Sequence, residues 1–167
     1  MKNNIKYAEK LGEGIRKISN HLNKTDNINT YLVKLIEKIG GEIVYKTDEN
    51  KYGVGLTITK DGFKIHPNVF DSPIHDNFYL AKALGDYLLF KHQENQFYAS
   101  SRIDETGILS NNFAYGFLTP KQEFIKKARE FKNNITLLSA YLQIPTEMIE
   151  KRLNYLKGIK IDTQKTR

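Results

Sequence analysis

The chain of 167 residues has 40% hydrophobic residues, 27% charged residues and a formal net charge of +7, which is typical of one soluble globular domain. It contains no cysteine, which excludes disulfides, thiolate zinc sites and cysteine nucleophiles. No apolar stretch approaches the roughly 18 residues that span a membrane, and the amino terminus lacks the apolar region of a secretory signal, so we expect a cytoplasmic protein without a membrane partner.

The first predicted element is a helix over residues 4–22, where apolar side chains recur at helical spacing. Gly12 and Gly14 interrupt this pattern, and each glycine weakens a helix by roughly 1 kcal/mol relative to alanine. We therefore expect residues 1–25 to form an amino-terminal helical extension that is broken or loosely docked.

A second helix and three strands follow in the chain. An amphipathic pattern predicts the helix, and runs of β-branched and apolar residues predict the strands. Lys60-Asp61-Gly62 is a turn sequence between the last two strands. The predicted elements are a helix over residues 28–39 and strands over residues 42–46, 54–59 and 63–66.

The rest of the chain is predicted to be helical apart from one polar loop. Ser72 and Pro73 are a favourable cap and first residue for a helix. The predicted helices cover residues 73–91, 107–118, 120–131, 134–142 and 146–157, with an exposed loop over residues 93–104 and a frayed basic tail over residues 158–167. The whole pattern indicates a single α+β domain, with a small three-stranded sheet packed with six or seven helices.

Four segments, in this order, are similar to those of a known family. They are Gly53–Ile58 with Lys60–Gly62 and Ile65–Asn68, the helix Asn77–Phe90, Ser110–Pro120, and Leu138–Pro145 with Ile149–Leu153. Over residues 28–156 the chain resembles the ImmA/IrrE family of zinc metallopeptidases. The resemblance implies a zincin-like core, with the amino-terminal helix as an addition to it.

The helix Asn77–Phe90 resembles the H-E-x-x-H helix of this family, in which two histidines hold zinc and the glutamate is the general base. By this resemblance the histidine positions are Lys82 and Asp86, and the general-base position is Ala83. The third zinc ligand, a glutamate in the family, falls on Gly107. An ammonium group repels a divalent cation and alanine accepts no proton, so we predict no catalytic residue, no bound metal and no cofactor.

The polar residues of this helix also support two other hypotheses. His75, Tyr79, Lys82 and Asp86 recur at helical spacing, so they share one face and form a candidate binding face. An alternative hypothesis is an active hydrolase with an unorthodox metal site, built from His75, Asp86 and Glu105.

The resemblance also implies partners. Members of the family commonly act on helix-turn-helix repressors or lie beside them in phages, mobile elements and toxin–antitoxin modules. The leading hypothesis is therefore a metallopeptidase-like pseudoenzyme that binds such a repressor and acts as an antirepressor. A further alternative is a nucleic-acid-binding accessory protein that uses the basic terminal segments.

Overall fold

The computed structural model describes residues 2–19, 27–45, 55–67, 73–91, 97–99 and 103–164. Over these ranges the chain alternates helices with short strands, and the predicted α+β architecture is confirmed. The elements are α1 (Lys2–Ser19), α2 (Ile28–Lys38), β1 (Gly41–Ile43), β2 (Gly55–Thr59), β3 (Gly62–His66), α3 (Pro73–Phe90), β4 (Phe97–Ala99), α4 (Glu105–Leu118), α5 (Lys121–Glu130), α6 (Ile135–Leu142) and α7 (Thr146–Gln164).

The strands form one mixed sheet in the order β1-β3-β2-β4. β2 and β3 are an antiparallel hairpin, and its turn ends at Gly62, whose positive φ of 151° suits a residue without a side chain. β1 pairs in parallel with β3, and β4 pairs antiparallel with β2, placing Tyr98 opposite Leu56. The fourth strand lies in the segment predicted as an exposed loop, because three residues are too few to show an alternating pattern.

α1 is continuous and packs closely on α4, so the prediction of a broken or loose helix is wrong. A Cβ atom at Gly12 would overlap the carbonyl oxygen of Phe113, and a Cβ atom at Gly116 would overlap that of Glu9. The two glycines thus let the backbones of the two helices touch from both sides. The missing side chain lowers helix propensity, but here it permits direct contact between the backbones of two helices.

A buried ion pair joins α1 to α7. Arg152 is fully buried, and its Nη2 atom lies 2.6 Å from Oε1 of Glu9, without the alignment of a hydrogen bond. The same nitrogen donates to the carbonyl oxygen of Thr119 at 3.1 Å, and the Tyr155 hydroxyl donates to Oε2 of Glu9 at 3.2 Å. Nε and Nη1 of Arg152 have no hydrogen-bond partner, but the rings of Tyr115 and Tyr155 lie 5.7 and 5.6 Å from the guanidinium carbon. These cation–π contacts partly offset the loss of water.

α7 extends to Gln164, so residues 158–164, predicted as part of a frayed tail, are helical. Among the described helices, none has both the length and the apolar character needed to cross a membrane. The core lies between the helices and one face of the sheet, and α3 occupies its centre, in contact with β2 and with α4. Its largest fully buried apolar side chains are those of Tyr31, Leu32, Ile36, Leu56, Ile58, Phe63, Ile65, Leu84, Phe113, Phe117 and Phe124.

Candidate functional site

A pocket lies between α3 and the sheet, at the position of the resemblance to the zinc-binding helix. α3 forms one wall, and β2, β3 and the buried Tyr98 of β4 form the other. The cavity has a volume of about 10 Å³, which is close to the minimum that holds a single water molecule. Its lining residues are Gly55, Leu56, Ile65, His66, Pro67, Tyr79, Leu80, Lys82, Ala83, Asp86 and Tyr98.

Two charged side chains of α3 are buried in this wall. Lys82 and Asp86 are each only 2% exposed, and their i, i+4 spacing places them on the same face of the helix. The hydroxyl of Ser110, on α4, donates to the Asp86 carboxylate and also lies 2.9 Å from the carbonyl oxygen of Thr106. Both charged side chains have interaction partners within the fold, as burial of a charge requires.

His66 is a member of this pocket that the sequence did not single out. It ends β3, is 8% exposed, and its Nε2 atom lies 3.3 Å from the hydroxyl oxygen of Thr57. Its Nδ1 atom is buried without a hydrogen-bond partner. Burial lowers the pKa of His66 below 6.5, and the positive charge of Lys64 lowers it further, against a smaller opposing effect of Glu42. The neutral imidazole is therefore the favoured form at neutral pH. The only signal in the sequence was its place at the end of a strand, directly before Pro67.

These residues do not fit the zinc site that the family resemblance implies. Catalytic zinc is usually held by three protein ligands and a water molecule. Within the part of the chain that the structure describes, no three histidine, cysteine, aspartate or glutamate side chains converge on one point. The pocket offers one carboxylate, Asp86, and one imidazole, His66, beside the amine of Lys82. Ala83 and Gly107 contribute no donor atom at all.

The other predicted site residues lie in different surroundings. Gly107 is buried in the first turn of α4, where its N–H group donates to Oδ1 of the capping residue Asp104 at 2.8 Å. Glu105, proposed as a ligand of an unorthodox metal site, is exposed at the start of α4 and is not among the residues that line the pocket. His75 belongs to the first turn of α3, but its side chain lies outside the described residues.

Burial reduces the number of side chains that a partner could contact on the candidate binding face of α3. Lys82 and Asp86 face the interior, whereas Tyr79 is partly exposed at the edge of the pocket. A protein that covers this face would therefore contact Tyr79 and would not reach the two charges. The interior position of the charges comes from the packing of α3 between the sheet and α4, which helical periodicity alone does not reveal.

The comparisons with known proteins agree with the fold of this chain. The M78 peptidase family model, described as the IrrE N-terminal-like domain, matches residues 36–154. A solved structure of a Mycobacterium tuberculosis transcriptional regulator superposes with a TM-score of 0.60 at 17% sequence identity, over 86% of this chain and 46% of that one. The present chain thus spans just under half the length of that protein, and the likeness shows a shared fold. Comparison with curated proteins gives no match. Because the family model covers most of the chain, the protein belongs to the IrrE N-terminal-like domain family.

Proposed function

We propose that this protein is a catalytically inactive member of its family and acts by binding a protein partner. The observation that carries the proposal is the set of residues at the four positions where the family has its zinc ligands and general base. An amine, a methyl group, a carboxylate and a glycine occupy them, in Lys82, Ala83, Asp86 and Gly107. Lewis-acid activation of water needs a metal with several electron-pair donors, and general-base catalysis needs a group that accepts a proton.

The packing around these residues supports the proposal. Ser110 hydrogen-bonds to Asp86 from α4, so the carboxylate already has a partner within the fold. The remaining space of about 10 Å³ holds at most about one water molecule. A hydrolytic site needs room for a metal, its water and a peptide carbonyl. The polar residues of this pocket instead serve the packing of α3 against the sheet and α4.

The family and the structural comparison support a proposal about the partner. The similar solved structure is named a transcriptional regulator, and the family resemblance points to helix-turn-helix repressors of phages, mobile elements or toxin–antitoxin modules. We propose that this protein binds such a repressor without cleaving it. Among the described side chains of the candidate binding face, Tyr79 is the one that is partly exposed, so it is the residue that we propose the partner contacts.

Metal analysis of the purified protein tests the loss of catalysis. We expect substoichiometric zinc after purification from zinc-supplemented medium. A reconstructed variant that combines Lys82→His, Ala83→Glu, Asp86→His and Gly107→Glu should bind about one zinc ion per chain. The matched control carries the same three ligand substitutions but keeps Ala83, and it should bind zinc without hydrolysing peptides. Stoichiometric zinc in the unaltered protein, together with peptide cleavage that Asp86→Ala abolishes, would overturn the proposal.

The proposed partner is tested by measuring the affinity of this protein for helix-turn-helix repressors that are encoded beside its gene. Tyr79→Ala should weaken the complex by roughly tenfold, or about 1.4 kcal/mol, because partly exposed tyrosines are frequent anchors of protein interfaces. Tyr141→Ala is a matched control, because Tyr141 is half exposed on α6, away from the pocket walls. Equal affinities of the two variants and the unaltered protein would place the partner elsewhere on the molecule.

A further inference from the structure

An apolar groove lies between α5 and α7, away from the pocket beside α3. The groove has a volume of about 190 Å³ and is open to solvent. On α5 it is lined by Phe124, Ile125 and Ala128, and on α7 by Leu153 and Leu156. Ile125 and Leu153 are only partly buried, whereas the other three are buried. We refer to this feature as the α5–α7 groove.

The groove exists because the apolar sides of α5 and α7 face each other without packing closely. Over their described lengths the two helices make no extensive contact, although both place apolar residues at helical spacing on the lining of the groove. At one end the chain leaves α5 through a turn, in which the N–H group of Asn133 donates to the carbonyl oxygen of Ala128 at 2.7 Å. Asn133 also lines the groove. An apolar surface therefore remains open between the two helices.

The rim of the groove is positively charged. Arg129 of α5 and Lys157 of α7 are both exposed, and none of the described residues that line the groove carries a carboxylate. Glu130 is next to Arg129 in the chain, but it pairs with Lys127 at 2.9 Å on another side of α5. Glu150 lies about two turns before Lys157 on α7 and is not part of the lining. A molecule that enters the groove thus meets apolar side chains with a cation on each helix.

This combination distinguishes the groove from two other hollows of the molecule. The pocket beside α3 has a volume of only about 10 Å³. A larger hollow of about 430 Å³, between α1 and the start of α5, is lined mainly by charged and polar side chains, and Glu13 and Glu123 lie among its cations. Neither hollow joins an apolar lining of useful size to charges of one sign.

We propose that the α5–α7 groove binds an amphipathic helix of a protein partner, in which apolar side chains are flanked by carboxylates. Helices of this kind bind apolar grooves through side chains at i, i+3, i+4 and i+7. The apolar side chains of the partner contact Ile125 and Leu153, and its carboxylates face Arg129 and Lys157. The groove and the candidate binding face of α3 consist of different residues, so this proposal does not depend on the proposed function.

The size and openness of the groove favour a protein helix over a small molecule. Pockets for drug-sized molecules have volumes of about 300–1,000 Å³ and enclose most of the ligand. The groove is smaller than this range and open to solvent, so it can receive one or two side chains of a larger partner but cannot enclose a whole ligand.

Charge favours a different protein over a second copy of this chain. A second copy has a net charge of +7, which opposes its approach to a positive rim. On α1, the exposed Tyr7 and Ile18 each directly follow a lysine in the chain. The exposed Ile103 precedes two carboxylates, but that of Asp104 is already engaged as the cap of α4. The complementary partner is therefore an acidic helix.

Fluorescence anisotropy with a labelled helical peptide tests the proposal. The peptide has leucines at i, i+3, i+4 and i+7 on one face and glutamates on both sides of that face. Two control peptides replace the glutamates with lysines or the leucines with alanines. The unaltered protein should bind the first peptide, with an affinity that decreases as salt is added, and should bind both controls at least about tenfold more weakly.

Substitutions on both helices locate the binding site. The double variant Arg129→Glu and Lys157→Glu should weaken binding of the first peptide on the order of tenfold, and it should prefer the lysine peptide instead. The matched control is Lys126→Glu and Lys151→Glu, which changes the charge equally at exposed positions of the same helices outside the groove. This control should retain most of the affinity. Circular dichroism of both double variants confirms that they are folded.

Each other outcome would overturn the proposal. Equal or undetectable binding of the three peptides by the unaltered protein would exclude the groove as a site for an acidic helix. Equal losses in the two double variants would mean that net charge alone drives binding. Self-association of the unaltered protein in sedimentation, abolished both by Ile103→Ser and by the double variant of the rim, would assign the groove to a second copy of this chain.

Discussion

The close backbone contact between α1 and α4 leads to a prediction in which alanine at two glycines of α1 changes the stability in opposite directions. Gly12 and Gly14 are both interior positions of α1, so alanine at either gains about 1 kcal/mol of helix propensity. A Cβ atom at Gly14 would have nothing within 4 Å. A Cβ atom at Gly12 would lie 2.8 Å from the backbone nitrogen of Phe117, besides overlapping the carbonyl oxygen of Phe113.

The contacts around each glycine determine the expected change in the free energy of unfolding. Gly14→Ala should raise the free energy of unfolding by about 1 kcal/mol. At Gly12 the clash is with backbone atoms, which no change of rotamer relieves, and overpacking of this kind costs about 1–3 kcal/mol or more. We expect Gly12→Ala to lower the free energy of unfolding by about 2 kcal/mol, a difference of about 3 kcal/mol between two otherwise identical substitutions.

Urea denaturation followed by circular dichroism measures both values, and thermal melting should separate the two variants by about 6–12 °C for a chain of this size. Gly116→Ala serves as a second test, because its Cβ atom would overlap the carbonyl oxygen of Glu9 across the same contact. A Gly12→Ala variant as stable as Gly14→Ala would refute the close packing of α1 on α4.

Three further predictions concern buried polar groups. In urea denaturation, Arg152→Met and Glu9→Gln should each lower the free energy of unfolding by about 3–5 kcal/mol, because either change leaves a buried group without its partner. The double variant should lose less stability than the sum of the two single losses. Ser110→Ala should cost about 1–3 kcal/mol by the same assay, because the buried Asp86 carboxylate loses a donor. The pKa of His66 is lowered in the fold, so the unfolded chain binds the extra proton as the pH falls below 6.5, and stability decreases with acidification. In the His66→Gln variant, the urea midpoint should decrease less between pH 7.5 and 5 than in the unaltered protein. An equal decrease in both proteins would mean that other groups dominate the pH dependence of stability.

Much of the fold could be read from local patterns in the sequence. The apolar spacing of α2, the turn before Gly62 and the proline at the first position of α3 depend only on neighbouring residues, which is why these elements were predicted correctly. The resemblance in Asn77–Phe90 predicted the position of the candidate site, because a motif is itself a local pattern. β4 was missed because a three-residue strand is defined by its pairing with β2, a partner about 40 residues away in the chain.

The residue types along the chain were enough to predict the family, the loss of zinc ligands at Lys82 and Gly107 and the loss of the general base at Ala83, since a side chain carries its donor atoms wherever it lies. Tertiary structure alone decided which groups meet: Ser110 with Asp86, His66 with the same pocket, and Gly12 with the backbone of α4. It also decided that Glu9 is buried against Arg152 while the lysines of α1 remain exposed. The physical reason is that burial and pairing depend on contacts between distant segments, and these contacts form only when the helices pack.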